Sequence, residues 1–597
     1  MNPRIDTSDE FILINRMFST QLPPLLGNLI NEWSSVKLIE HIKSENIREN
    51  IYYKGNGRLY TQLTSSSRAP KHFYNVKSGG TESINFYTIK SDGTFRPLSV
   101  PNIKYAILFS YNLLEVKQSL IHFFYDDKER RDGISSHSEL PIVGYDNHMF
   151  DLFQYPQKKI NSFVDTTQPD ARFFVENEIR KVKLESTYPY ILKIDLSKFY
   201  ENVYTHLFGD LSFKKIDRII NPTDFYDYVW RLSLPNSEVE KLKAFFNWLD
   251  TLNQKINNNH TKGILQGPIS SRISAEILQL YIDEKIIELL RTKPSSITFT
   301  RYVDDYKFYA KNQSDLENLK IDLTHLFREF SLPLNDSKIE IYKGFEKNKG
   351  AHLNADNMKW LRKKDVKIGI RRFLEIRNTF SSLIDKSDWS SVKSLLTHLT
   401  KNDLYFDERN HNIPIVFIEM LVKLVYINGS LTLHAYKLLA HVVTSKLPRQ
   451  TRKNILEKLM SESEYISKLY SDSDLEIWHY YVMSLLSDAQ THKRIFQKYR
   501  SFKGSKESHP IILTVLIKER SLATNKLILD ELIQFINIDE PGIAQSKWWL
   551  PISKLWIVYK KSKYPIPAKI DSLFNTKKNN PAYDKLGIIK LLFDYNK

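Results

Sequence analysis

Two adjacent acids, Asp304 and Asp305, interrupt the β-prone stretch TRYVDDYKFYA at residues 300–310. The runs 297–303 and 306–310 flank them, so the Asp-Asp pair reads as the two-residue connection of a hairpin. Acids are common in turns, and the pair gains meaning only beside a second strand. Residues 190–194, YILKI, supply one: an apolar run that ends in Asp195. A carboxylate at the end of a buried strand is costly unless it is paired or metal-bound. If the two elements are neighbours, Asp195 lies beside Asp304 across the strand ends. Carboxylates that close repel one another, and a divalent cation relieves them.

Composition narrows the choice of cation. The chain has no cysteine, which excludes disulfides, thiolate zinc sites and cysteine nucleophiles. Oxygen and imidazole ligands remain, and carboxylates favour hard ions such as Mg²⁺, with Mn²⁺ as a substitute. Two Mg²⁺ ions held by carboxylates and substrate phosphates are the apparatus of in-line nucleotidyl transfer. The net charge of +17 suits a polyanionic partner, although a lysine-rich solvated surface would also produce it.

A chain of 597 residues exceeds one core and implies two or three domains. Residues 1–75 read as a mainly helical N-terminal extension. Residues 84–101, INFYTIKSDGTFRPLSVP, read as two strands around Ser91, Asp92 and Gly93. Strand and helix signals then alternate, so 76–350 is expected to be an α+β domain. From 351 to 597 amphipathic runs follow one another, among them 391–399, 414–427 and 474–488, and an all-α helical-repeat domain is expected. The stretch 358–378 carries Lys359, Arg362, Lys363, Lys364, Arg371 and Arg372, which suits either a phosphate-tracking surface or a solvated helix face. The opening MNPRIDTSDEF is acidic where a signal peptide is basic, and the most apolar run, 413–427, contains Glu419 and Lys423. A cytoplasmic protein with no membrane partner is expected.

Tyr302-Val303-Asp304-Asp305 resembles the YxDD box of reverse transcriptases, and Asp195 followed by Phe199-Tyr200 resembles their first metal-binding motif. GILQGPISSRISAEI (263–277) resembles the intervening box, LPLNDSKIEI (332–341) the motif after it, and KSDGTFRPLSVP (90–101) the fingers element. The resemblance implies a fingers-and-palm polymerase fold. It also implies Mg²⁺ bound by Asp195, the Leu196 backbone, Asp304 and Asp305. Lys90 and Arg96 would grip a dNTP triphosphate, Gln266-Gly267 would contact the nucleotide, and Lys338 would protonate the leaving pyrophosphate. Tyr200, beside Phe199, would exclude a ribose 2′-hydroxyl.

The continuation DLSKFYENVYTH (195–206), the Ser271-Arg272-Ile273 and Glu276 pattern and the helical second half resemble the AbiK-like branch of abortive-infection, antiphage reverse transcriptases. No Cys/His zinc finger follows the palm, and no obvious three-helix thumb follows Lys338. The resemblance implies untemplated DNA synthesis primed by a tyrosine of the protein, leaving the DNA product covalently attached, and a homo-oligomer, trimer or hexamer. The chain has 33 tyrosines, so the primer is not identified. The alternative is a defence enzyme that copies a bound non-coding RNA into DNA. If Tyr200 is the sugar gate, Tyr200→Ala will incorporate ribonucleotides in a direct NTP-versus-dNTP competition; unchanged sugar selectivity would remove it from that role.

Overall fold

The computed structural model describes residues 9–44, 80–125, 136–138, 182–211, 236–293, 297–344, 365–406, 412–445, 447–535, 543–562, 565–574 and 586–595. Strands β1 (Ile84–Ile89) and β2 (Phe95–Val100) form an antiparallel hairpin. Its turn is closed by the Asp92 carboxylate, which accepts from the Thr94 amide at 2.9 Å, and by Gly93 at φ +78°. The largely buried helix Ile103–Tyr125 follows and packs against helices Asp9–Asn15 and Asn236–Ile256.

The central sheet has the order β3-β5-β6-β4-β7, formed by β3 (Ser136–Ser138), β4 (Tyr190–Asp195), β5 (Thr298–Tyr302), β6 (Asp305–Ala310) and β7 (Glu340–Lys343). Only the β3–β5 pair is parallel. Along β6 the period of two sends Tyr306 and Phe308 to one face, where their rings stack and Tyr306 meets Phe327 of helix Gln313–Glu329 edge-on. Burial of this aromatic face fixes the β6 register, because a slip of one residue would turn it to the opposite side of the sheet.

From Ile370 onward the described chain is mostly helical. Helices Trp389–Lys401, Thr432–Thr444, Asp474–Leu486, Pro510–Leu516 and Trp549–Lys561 pack side by side in one row. Helices Ile370–Asp385, Ile413–Ile427, Arg449–Leu469, Ala489–Lys503 and Leu522–Phe535 make a second row. Local signals set several helix starts. Asp388, Ser473 and Asp488 each accept a hydrogen bond from an amide in the first turn, and Pro414 and Pro510 occupy first-turn positions where no amide donor is required. The expectation of an all-α second half is corrected by β8 (Asp365–Ile368) and β9 (Asp403–Phe406), which pair in parallel. Val366, Ile368 and Leu404 are buried there, and alternating apolar residues favour strand pairing over a helical stripe. No helix among the described residues is long and apolar enough to cross a membrane.

The helical rows cover the free edge of the hairpin. The Tyr87 amide donates to the Asp472 carbonyl at 3.0 Å, and His509 Nε2 meets the Asn85 carbonyl at 2.9 Å. Nearby, the Glu82 amide donates to the Gln545 carbonyl, and Asn102 Nδ2 donates to the Ala544 carbonyl. An open strand edge, otherwise a row of unpaired backbone groups, is thereby satisfied within the chain. The approach is close at Gly429, where a Cβ would lie 2.2 Å from Ile89 Cγ2. Gly429→Ala is expected to lower stability by about 1–3 kcal/mol through overpacking at this seam. A denaturant melt with the wild-type midpoint would contradict that close fit.

Candidate active site

Strand β4 delivers Asp195 directly opposite Asp305 of β6. The sequence places the two acids together in the hairpin turn and sets Asp304 beside Asp195. The structure shifts the turn back by one residue. Tyr302 pairs with Asp305, the connection is Val303-Asp304, and Asp305 opens β6 as the cross-strand partner of Asp195. The buried aromatic face of β6 explains the shift, since Tyr306 must face the helices and Asp305 then belongs to the ladder. Asp304 stays close through its backbone, with its carbonyl accepting from the Leu196 amide at 3.2 Å.

The turn is strained and buttressed. Val303 has φ +55°, an unfavourable region for a β-branched residue. Its carbonyl accepts from Arg301 Nη1 at 3.2 Å. Arg301 is fully buried and forks onto two carboxylates of helix Ile269–Arg291: Glu276 at 2.6 and 2.8 Å, and Asp283 at 2.9 and 3.0 Å. Glu276, Gln279 and Asp283 recur on one helical face, and the Tyr306 hydroxyl donates to Gln279 Oε1 at 2.6 Å. Burial opposes the Arg301 charge, yet Asp283 and Glu276 outweigh it and hold the guanidinium well above its usual value.

Asp195 is 7% exposed. Its Oδ2 accepts from Lys338 Nζ at 2.9 Å and from Asn335 Nδ2 at 3.0 Å, while its backbone carbonyl accepts from the Asn335 amide at 2.8 Å. The hydrogen bond to Asp195 raises the pKa of the Lys338 ammonium. Burial, with the charges of Asp305 and Asp195, pushes the Asp304 carboxyl up to about 6. Burial also raises Asp305, which shares a hydrogen bond with Asp195. Among the described residues no group of three or more His, Cys, Asp or Glu side chains stands ready to hold a metal ion. The Lys338 ammonium takes one Asp195 oxygen. The oxygen-only donors and the suppressed ionisation of Asp304 and Asp305 nonetheless suit a hard divalent cation completed by substrate oxygens.

A second layer assembles beside the acids. Lys198, at φ +45°, turns the chain into the single helical turn Phe199–Asn202, with Phe199 buried and Tyr200 partly buried. The Tyr200 carbonyl accepts from the Ile264 amide, which brings the 263–267 loop alongside. In that loop Gln266 is half-buried, its carbonyl accepts from the Ser99 amide of β2 at 2.8 Å, and Gly267 adopts φ +118°. A side chain at position 267 would be strained there and would crowd the Ser99 carbonyl at 3.4 Å. Burial raises the Tyr200 phenol, whose electrostatic neighbours include Arg272, Asp304 and Arg96. The fold thus joins Arg96, Tyr200 and the Gln266-Gly267 loop to the acids. Lys90 stays at the hairpin tip, where its charge acts on Asp92.

Residues 89–362 match the family described as reverse transcriptase (RNA-dependent DNA polymerase). The chain carries a reverse transcriptase domain. Domains of that type are nucleotidyltransferases. No curated protein matches the chain. Among solved structures, apo telomerase from Candida tropicalis truncated from its C-terminal domain shares 17% identity, covers 45% of this chain and 51% of that one, and gives a TM-score of 0.26. Apo telomerase from the same organism shares 12% identity over 80% of this chain and 68% of that one, with a TM-score of 0.29. Telomerase from Candida albicans in complex with a fragment of telomeric RNA shares 13% identity over 74% and 69%, with a TM-score of 0.27. The chain spans about half the length of the first of these, and such TM-scores are too low to carry an argument.

Several residues around the reverse transcriptase domain's acids escape sequence reasoning. Arg301 and Asp283 look like ordinary surface charges in a linear reading, and Asn335 carries no motif of its own. A period-consistent Glu276/Asp283 pair on a largely apolar helix is the one signal that could have pointed to a buried cation. Of the basic stretch, Lys359, Arg362, Lys363 and Lys364 lie outside the described residues. Arg371 and Arg372 both pair with Glu375, at 3.5 and 2.6 Å, so their charges are partly neutralised.

The raised Asp304 has a consequence for stability. From the ordinary carboxylate value of 3.8 up to about 6, the folded protein binds more protons at this group than the unfolded chain. Stability therefore falls as pH rises through that window and stays reduced above it. Asp304→Asn removes the cost, so its melting temperature should exceed wild type at neutral pH, with the gap closing toward pH 3.8. A gap that is independent of pH would count against the burial and repulsion described here.

Proposed function

We propose that the protein is a DNA polymerase of an abortive-infection, antiphage system, which builds DNA from dNTPs and starts on a tyrosine of its own chain without a template. The observation that carries the polymerase part is the convergence of Asp195, Asp304 and Asp305 beside Tyr200 and Lys338, on strands whose register opposes Asp195 to Asp305. In this reading Asp195, Asp304, Asp305 and the Leu196 carbonyl hold two Mg²⁺ ions, which supply charge stabilisation at the attacking and leaving oxygens when bound. Lys338, kept protonated by Asp195, donates a proton to the pyrophosphate. Tyr200 selects the sugar, Gln266-Gly267 supports the nucleotide, and Arg96 and Lys90 hold the triphosphate.

The defence and self-priming parts are supported by the AbiK-like residues at 195–206 and 271–276 and by the double row of helices packed against the hairpin. We divide the chain at about residues 75 and 350, with the polymerase between an N-terminal extension and a helical-repeat unit. The positive charge of +17 favours a second reading, in which a bound non-coding RNA is copied into DNA.

Purified protein incubated with Mg²⁺ and labelled dNTPs, with no added template or primer, should yield label that migrates with the protein on a denaturing gel and is released by protease. Asp195→Asn and Asp304→Asn should abolish it while leaving the fold intact. Label confined to free DNA and lost after RNase pre-treatment would replace self-priming with RNA copying. Normal incorporation by Asp304→Asn would remove the acids from catalysis.

A further inference from the structure

An isolated two-stranded hairpin has little stability of its own, so β1 and β2 take their position from what flanks them. Asn85 and Ser99 face each other across the ladder. The Lys90 amide donates to the Thr94 carbonyl at the turn, so by alternation Asn85 and Ser99 form a pair without mutual backbone bonds, whose amides and carbonyls point outward. Each outward group meets a different neighbour. The Asn85 carbonyl accepts from His509 Nε2 of the helical rows at 2.9 Å, and the Ser99 amide donates to the Gln266 carbonyl of the 263–267 loop at 2.8 Å. Between the strands, the Ser99 hydroxyl donates to Asn85 Oδ1 at 2.8 Å. One line of hydrogen bonds therefore runs from His509 through both strands to the residue before Gly267.

His509 is suited to be the fixed end of that line. It is buried, it precedes helix Pro510–Leu516, and its amide donates to the Tyr499 hydroxyl at 2.7 Å. The Tyr499 ring in turn packs edge-on against Tyr480, with 5.0 Å between centroids. Because a carbonyl can only accept, Nε2 carries the ring proton and Nδ1 is the bare acceptor. Nδ1 is buried and has no hydrogen-bond partner among the described residues. An apolar side chain would not carry that cost. What the imidazole adds at this position is the donor to β1. At the far end, a Cβ on Gly267 would lie 3.6 Å from Leu98 Cβ, and Arg96 precedes Leu98 by two residues, on the same face of β2. Arg96 and the Gln266-Gly267 loop are thus set relative to each other by the strand that the line crosses.

We propose that His509 is a positioning residue of the nucleotide site, which holds Arg96 and the Gln266-Gly267 loop in register through Asn85 and Ser99, so that the helical rows set nucleotide affinity. The nucleotide part rests on the polymerase reading above, and the mechanical link does not. Incorporation kinetics and, without nucleotides, hydrogen exchange of peptides spanning 95–100 and 263–267 are measured on the full chain. His509→Asn, whose amide is too short to reach the Asn85 carbonyl, should raise the KM for dNTP about 2–12-fold, the equivalent of one net hydrogen bond, at unchanged kcat. It should also speed exchange at Ser99, on the opposite strand. His509→Gln returns a donor near the Nε2 position and should recover both. Asn85 is exposed, so Asn85→Ala removes the side-chain link between the strands without disturbing the core. It should raise KM in the same way, and it decides the matter should His509→Asn fail to fold. His509→Asn combined with Ser99→Ala should raise KM no further than the larger single effect, since both break one line. Unchanged KM and exchange in His509→Asn would overturn the proposal. So would a lower melting temperature and kcat at unchanged KM, the mark of structural support alone, or single effects that multiply in the double variant. Wild type that incorporates no nucleotide would sink the polymerase reading, and the link would then stand or fall on exchange at Ser99.

Discussion

The buried fork of Arg301 onto Glu276 and Asp283 holds the candidate active site in place. It links the central sheet to helix Ile269–Arg291 and, through Nη1, props the carbonyl of the strained Val303 turn that carries Asp304. Ion pairs this deep add little net stability over an apolar core, but removal of one member costs about 3–5 kcal/mol because a charge is left unpaired. The cluster therefore acts mainly through geometry. It determines where the turn sits on the helix, and Tyr306, bonded to Gln279, repeats that alignment one residue beyond the acids.

The acids themselves are an unfavourable arrangement held by that frame. Asp195, Asp304 and Asp305 share a partly buried corner, and Lys338 and Asn335 offset them through hydrogen bonds to Asp195. The raised proton affinity of Asp304 and Asp305 is stored electrostatic cost of the kind that concentrates at functional sites.

The double row of helices has a mechanical part in the same design. Its bonds to Asn85 and Tyr87 complete the outer edge of β1, while the inner strand β2 reaches the Gln266 carbonyl through Ser99. The hairpin that bears Arg96 is thus clamped from both sides. Its swing relative to the acids would require the seam at Gly429 and Ile89 to open.

Much of the site was legible because short-range chemistry announces it. An apolar strand ending in an acid, a β-hairpin with paired acids and a glycine-bearing loop each have a local signature, and so do the capped amphipathic helices after residue 370. The one-residue placement of the turn was not legible, since it follows from burying Tyr306 and Phe308 against helix Gln313–Glu329, a packing that the strand's own pattern does not state. Nor was the β8–β9 pair, whose strands are four residues each and separated by two helices. Arg301, Asp283 and Asn335 look like solvated polar residues in the linear chain. Their meaning depends on which carboxylates or cations lie within a few ångströms, and on how much water is excluded. The sequence by itself pointed to a reverse transcriptase domain, because carboxylate spacing on strands is a local property. Only the tertiary structure decided how those acids are braced, because burial and long-range charge pairing arise when distant segments pack together.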